Sequence, residues 1–299
     1  MSITTFDGII SARATEGKFW DWFDGMTANQ TPIAGAWYNL TGRIAQTARA
    51  ALSYTAFADG GAGGAVMNAA TTGALPIPYS GADARYLTAI GAMVPSITGF
   101  SALMLVDILW AGGPITYVSG AAITPTSTSP TLTRYVGSAA ASSGNMLMVD
   151  VGTLLGGTPG SLVVNYTKED NTTTQNTSAI TPTVAAGTAN RVLQGGVTYG
   201  PAFIPLVSGA LGVTHVNSVT FGSGSSPTGT LYLNIVRPLI IIPTLAANSW
   251  VERDITTTMD SMIELVKGSD SQHGCLAILG LGNGTTASGM NYALRTVNG

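Results

Sequence analysis

The fold turns on Leu103-Met104-Leu105-Val106-Asp107-Ile108-Leu109-Trp110-Ala111-Gly112-Gly113. From Ser101 to Trp110 the residues are apolar nearly all round, which predicts a helix surrounded by protein. The wider window Met93 to Ile115 is the most hydropathic of the chain, but Pro95, Asp107, Gly112, Gly113 and Pro114 interrupt it. The piece left between Phe100 and Trp110 is shorter than the ~20 residues that a membrane span requires. No span is therefore expected, and a buried core helix is. Asp107 is the one ionisable residue of that helix, and a buried carboxylate has to be paired or hydrogen-bonded. Arg85 or Arg43 is the expected partner, and the role expected for Asp107 is that of a buried structural carboxylate.

Upstream, helical spacing recurs. Tyr86, Leu87, Ile90, Met93 and Val94 share one face of a helix expected over Ala82 to Val94, with Asp83 in its first turn. Ile44, Ala48, Ala51 and Leu52 do the same for Thr41 to Ala58, which Asp59-Gly60-Gly61 would end. The first residues differ again: Phe19, Trp20, Trp22 and Phe23 crowd four large rings around Asp21 and Asp24. Rings so close together cannot all face water, so they read as a partner-contacting N-terminal arm. An amphipathic helix covering its own core explains them equally well.

Downstream of Gly112-Gly113-Pro114, short runs rich in Val, Ile, Thr and Tyr alternate with Gly, Pro, Ser and Asn, the signature of an antiparallel sandwich or barrel. Strands are expected at Ile115 to Ser119, Met146 to Val151, Ser161 to Thr167, Val192 to Gln194, Asn217 to Phe221 and Leu231 to Arg237. Leu239 to Ile242, bracketed by Pro238 and Pro243, would be short or at an edge. A helix follows at Thr257 to Lys267, where Met259, Met262, Ile263 and Val266 share a face. Strands at Cys275 to Leu281 and Met290 to Thr296 close the chain. The expected fold class is thus α+β, a helical N-terminal third packed on or around an antiparallel β-sandwich or barrel-like region. Its divisions are an arm (1–38), a helical region (39–113) and a β-rich domain (114–299) with a helix near 257–267.

Charged residues make up 9% of the 299, against roughly 25% in an average soluble protein. Mixed charges keep a monomer soluble, so a neutral surface suits a chain whose faces rest against other subunits. A monomer with a Ser/Thr/Asn surface is the alternative. The net charge of −3, without a basic cluster, argues against direct nucleic-acid binding. Met1 to Gly17 lacks the basic and apolar regions of a secretory signal, so synthesis is expected to end in the cytoplasm.

Chemistry has few carriers. The two histidines, His215 and His273, form no HxxxH or HExxH frame, and the single cysteine, Cys275, allows neither a disulfide framework nor a Cys₄ zinc site. His273 and Cys275 would share a strand face, but a buried cysteine beside a turn at Gly274 is the simpler reading. Of the acidic pairs Asp21/Asp24, Glu169/Asp170 and Glu252/Asp254, only the last resembles the carboxylate spacing of a glycosidase, and Arg253 between them points to surface charge. Gly60 to Gly64 and Gly280 to Gly284 lack the lysine and spacing of phosphate loops. No catalytic, metal or cofactor residue is assigned.

Leu103 to Gly113, with Ile115-Thr116 and the Thr/Ser-Pro stretch to Leu132, resembles a motif of uncharacterised virion structural proteins from tailed bacteriophages. Leu162-Val163-Val164-Asn165-Tyr166-Thr167, Leu231 to Pro238 and the alternation around Tyr292 extend the resemblance over residues 85–299. The chain departs from it in carrying Val106-Asp107-Ile108 where Tyr-Asp-Arg is commoner, and residues 1–60 are not covered. The resemblance implies a non-enzymatic shell component, most simply a capsid decoration or cement protein. Its expected partners are its own copies and the major capsid protein, in a virion assembled in the host cytoplasm. A receptor- or glycan-binding tail component, or the major shell or tail-tube subunit, are the alternatives.

Overall fold

In β5 (Phe100–Thr116), alternate side chains enter different cores: Leu103 and Leu105 pack with Leu276 and Ile278, whereas Val106 and Ile108 pack with Ala277 and Leu279. The stretch expected to be a helix is therefore a strand. A strand covered on both faces has no polar side to display, so it reads as an unbroken apolar run. The computed structural model describes residues 5–15, 19–27, 32–41, 64–69, 71–75, 77, 84–96, 98–116, 122–123, 132, 134–135, 139–158, 160–181, 191–194, 200–223, 225–254, 263–266, 274–284 and 289–298.

The helix expected at Ala82 to Val94 is likewise a strand, β4 (Arg85–Met93). Leu87 and Ile90 face the main core and Tyr86 packs under a short helix, so both faces are apolar for different reasons. Of Thr257 to Lys267, the described part is again a strand, β13 (Ile263–Val266). The helix expected over Thr41 to Ala58 lies, Thr41 apart, outside the described residues. The helical N-terminal third is thus overturned. Among the described residues the helices are α1 (Phe6–Arg13) and the four-residue α2 (Ala139–Ser142), and the rest of the regular structure is antiparallel sheet.

One sheet runs β1 (Phe19–Thr27), β15 (Gly289–Asn298), β4, β12 (Val251–Asp254), with β13 also on β4. A second runs β6 (Ala122–Ile123), β10 (Val213–Phe221), β8 (Leu162–Lys168), β9 (Gln175–Asn176). The third runs β2 (Trp37–Asn39), β14 (Leu276–Gly282), β5, β11 (Ser225–Pro243), β7 (Met146–Thr158), and the short β3 (Ala65–Val66) joins β5. Most of the strands expected from alternation fall inside β7, β8, β10, β11, β14 and β15. Pro238 sits at a break in the β11 to β5 register, beyond the last pair of β11 with β7 at Val236, where a missing N–H is tolerated.

The third sheet closes on itself. Val192 bridges Asp150 of β7 and Arg191 bridges Tyr38 of β2, supported by Val151 N–H to Arg191 C=O (2.8 Å), Leu193 N–H to Val149 C=O (2.8 Å) and Val192 N–H to Trp37 C=O (2.9 Å). The Asn39 amide of β2 reaches the Asp150 carboxylate of β7 at 2.9 Å. Strands two apart in a flat sheet stand roughly 10 Å from each other, so the face that carries both residues is the concave inside of a ring. Val106, Ile108, Met148, Val236, Ala277 and Leu279 line that inside. The outside is covered twice. Leu103, Leu105, Ile240, Ile242 and Ile278 pack against Leu87, Ile90, Tyr292 and Leu294 of the first sheet. Further along the same strands, Leu231, Leu233, Ile235, Leu147 and Val149 pack against Val164, Tyr166, Val216 and Phe221 of the second.

Leu105 is 1% exposed at the centre of the first of these contacts. Leu105→Ala is expected to lower unfolding stability by about 2–5 kcal/mol, read from the midpoint of chemical denaturation at unchanged slope.

Candidate functional site

The four aromatic residues singled out in the sequence stand on β1, an edge strand of the first sheet. Strand alternation divides them. Phe19 and Phe23 point to the outer face, 50% and 62% exposed, while Trp22 packs on the core beneath and Trp20 stands opposite Thr296 in the register. The segment is a strand and not the amphipathic helix that was the alternative, because each of its nine residues pairs with β15.

On the outer face Phe23 meets Trp250, with ring centroids 6.2 Å apart and planes tilted by 40°. Trp250 reaches across the sheet because residue 91 is glycine: a Cβ there would stand 2.3 Å from the indole ring. Gly91 lies opposite Ala293, and Ala293 opposite Phe23, so two small residues form the floor that the rings rest on. Trp250 is 39% exposed, and its Nε1 donates to Glu252 Oε2 at 3.4 Å. Arg295 runs alongside, 3.1 Å from Glu252 and 3.8 Å from Asp21, and Arg13 of α1 pairs with Asp254 at 3.4 Å. Trp250 was not among the sequence candidates. Its signal was Trp250-Val251-Glu252, an aromatic residue two positions from an acid, which on a strand share one face.

The carboxylates that stand close in sequence hold structure. Glu252 and Asp254 face arginines, each such surface pair contributing about 0–1 kcal/mol. Asp24 accepts from the Tyr292 hydroxyl (3.2 Å) and from the N–H of Gly25 (2.8 Å). Glu169 is buried and accepts the backbone N–H groups of Leu211 and Gly212 at 3.1 and 3.0 Å. Asp170 pairs with Lys168 at 2.7 Å, and this hydrogen bond, with those from Thr172, brings its carboxyl down to about 2.

Asp107 is buried and paired, with Arg134 and not with the expected Arg85. Arg134 grips it with two parallel bonds, Nε to Oδ2 and Nη2 to Oδ1, both 2.8 Å, and the Cys275 N–H donates to Oδ1 at 2.8 Å. The same guanidinium donates to the carbonyls of Met67 (2.8 Å) and Ile108 (3.0 Å). Burial pushes the Asp107 carboxyl up against the pull of Arg134. Burial also works against the Arg134 charge, and Asp107 more than offsets it. Arg85 lies elsewhere, its Nη1 3.4 Å from the Thr296 hydroxyl, and burial lowers it to about 10. Arg43 is outside the described residues. So is His273, while Cys275 is buried. Among the described residues no three His, Cys, Asp or Glu side chains gather as metal ligands, and no helix is long and apolar enough to cross a membrane. Gly280 and Gly282 belong to β14, where a Cβ on Gly280 would press on Phe100 and Leu40.

No family model matches the chain, and no curated protein matches it. Among solved structures it is similar to the VP2 subviral particle of infectious bursal disease virus, at 10% identity and a TM-score of 0.19 over 94% of this chain and 80% of that one. A second, of T=1 particles derived from that virus, gives 9% and 0.19 over 94% and 78%. A third, of the virus's Gx strain, gives 10% and 0.16 over 100% and 86%.

Two outcomes follow from the charges. Asp107→Leu, which leaves Arg134 buried without its carboxylate, is expected to destabilise by about 3–5 kcal/mol, and Asp107→Leu with Arg134→Met to restore most of the loss; denaturation of the two variants side by side checks it. The carboxyl of Asp170, held below its ordinary value of 3.8, supports its hairpin above that value, and the support is lost as pH falls through about 2. A carbon-detected titration of Asp170 should therefore place its midpoint near 2, and Lys168→Ala should move it upward.

Proposed function

We propose that this chain is a non-enzymatic structural subunit of a tailed-phage virion, a decoration or cement protein that holds the capsid through faces covered by other protein. The observation that carries this reading is the outer face of the first sheet, where Phe19, Phe23 and Trp250 stay 50%, 62% and 39% exposed on a chain only 9% charged. Exposed rings beside an arginine are the residues in which binding energy concentrates when a second surface covers them. A surface with so few charges is poorly suited to a free monomer. The acidic pairs support the same reading, since the arginines, hydroxyls and backbone N–H groups around them already occupy their oxygens.

The mechanism is mechanical. Each Å² of apolar surface buried across a seam contributes roughly 25 cal/mol, and a standard interface buries about 800 Å² on each partner. Spread over a shell of many subunits, such seams oppose the outward pressure of a packed genome. The major capsid protein and other copies of the chain are the partners proposed, and the host cytoplasm the place of assembly.

A second reading, a receptor- or glycan-binding tail component, draws on Trp250: an exposed indole whose Nε1 meets a carboxylate, with an arginine alongside, suits stacking against a sugar ring. Copy number separates the two. Quantitative mass spectrometry of purified particles is expected to find copies in the hundreds. A count of roughly six to eighteen, as in a small closed ring, would move the chain to the tail, and its absence from washed particles would refute both readings.

A further inference from the structure

A β-protein meets other chains most readily at its sheet edges, where a row of backbone N–H and C=O groups lacks partners. Among the described residues this fold closes or shortens most of its edges, and others are open over part of a strand only: β6 covers β10 at Val219 and Thr220, and β7 covers β11 as far as Val236. The ring of the third sheet joins its own two ends through residues 191–193. The second sheet ends on β6 and β9, two residues each. The far side of the first sheet ends on β12 and β13, four residues each. β1 is different. It is nine residues long, its nine pairs with β15 run without a register shift, and no described strand lies on its other side. It contains no proline, lysine or arginine, and its two charges are engaged within its own sheet, Asp21 beside Arg295 and Asp24 on the Tyr292 hydroxyl, so little blunts the edge.

We infer that β1 pairs with β1 of a second copy of this chain, across a two-fold axis perpendicular to the sheet. Such an axis makes the new pair antiparallel, the arrangement of every strand pair in the fold, and joins two five-stranded sheets into one. The sequence of the strand sets the register. An axis through Phe23, the middle residue, is the one register in which all nine residues are paired. It places Asp21 opposite Gly25 of the second copy and Asp24 opposite Trp22 of the second copy, so no carboxylate faces another. An axis through Asp21 or Asp24, or between Trp22 and Phe23, would set two aspartates directly opposite, which destabilises a pair. With the axis at Phe23, the two Phe23 rings face each other on the outer side, each already against its own Trp250. Four rings then form a row, and aromatic pairs of this kind contribute beyond their buried area.

This inference rests on the reading that other protein covers the uncharged faces, and it names the cover for one of them. Single cysteines in the full-length chain test it, because Cα atoms directly opposite in an antiparallel pair stand about 4.5–5.5 Å apart, within disulfide reach. The native Cys275 is buried and stays silent. Phe23→Cys is expected to form a disulfide-linked dimer with itself under mild oxidation, and Asp21→Cys to link to Gly25→Cys only when the two variants are mixed. Light scattering should give the unmodified chain twice its monomer mass and Phe23→Lys half of that, with a cooperative unfolding transition showing that Phe23→Lys still folds. A dimer that persists in Phe23→Lys, with no disulfide in the cysteine variants, would overturn the edge pairing and leave the covered-face reading standing. A monomer at every accessible concentration, again with no disulfide, would overturn the edge pairing outright. The particle copy number then decides the functional reading separately.

Discussion

The antiparallel ladder between β5 and β11, running from Thr116 opposite Thr230 to Ala102 opposite Pro243, is the constraint on which the rest of the molecule depends. Both strands exceed the usual length, at 17 and 19 residues, and no single partner sheet would cover them end to end. The fold answers with two cover sheets, one over each half of the outer face, while the inner face turns on itself as a ring. Breaks in register at Ile235/Val236 and Pro238/Ile240 let the strands bend while their apolar residues stay on the required side. Each of the three main cores has residues of both strands on its boundary.

The buried ion pair of Asp107 and Arg134 fixes how that ladder is set. Taking both charges from water is expensive, and the attraction between them does little more than repay it. Its value lies in placement. Asp107 stands opposite Arg237 on one side and Leu276 on the other, and it accepts the Cys275 N–H where β14 begins. A slip of one residue in β5 would carry the carboxylate to the opposite face, away from its three donors. Met67 and Ile108 lend their carbonyls to the same guanidinium, so the ion pair ties a loop, a ring strand and the start of β14 together.

Sequence patterns were readable where one face of a strand is apolar and the other polar or wet. Leu231 to Ile235, Met290 to Thr296 and Leu162 to Thr167 show that alternation, and all three are strands. They misled where both faces are covered, as in β4 and β5, because period two disappears once apolar residues stand on both faces. Residues 191–193 close a ring through isolated bridges, and contacts between segments so distant leave no local trace. Arg134 lies 27 residues beyond Asp107 in a Thr/Ser-rich stretch, and only the folded chain brings them together. Within the candidate site, Phe19 and Phe23 were legible as crowded rings, whereas Trp250 was not, because its position depends on the space left at Gly91.

The pairing of β1 with β15 has a consequence for timing. Phe19 and Val297 are neighbours in space but stand 278 residues apart in the sequence, so β1 leaves the ribosome long before its partner exists. Contacts between such distant segments form late and slowly. The strand that carries Phe19 and Phe23 therefore takes its final shape only after residues 289–298 have emerged, which keeps the aromatic edge out of its sheet while nascent chains are crowded together on one message.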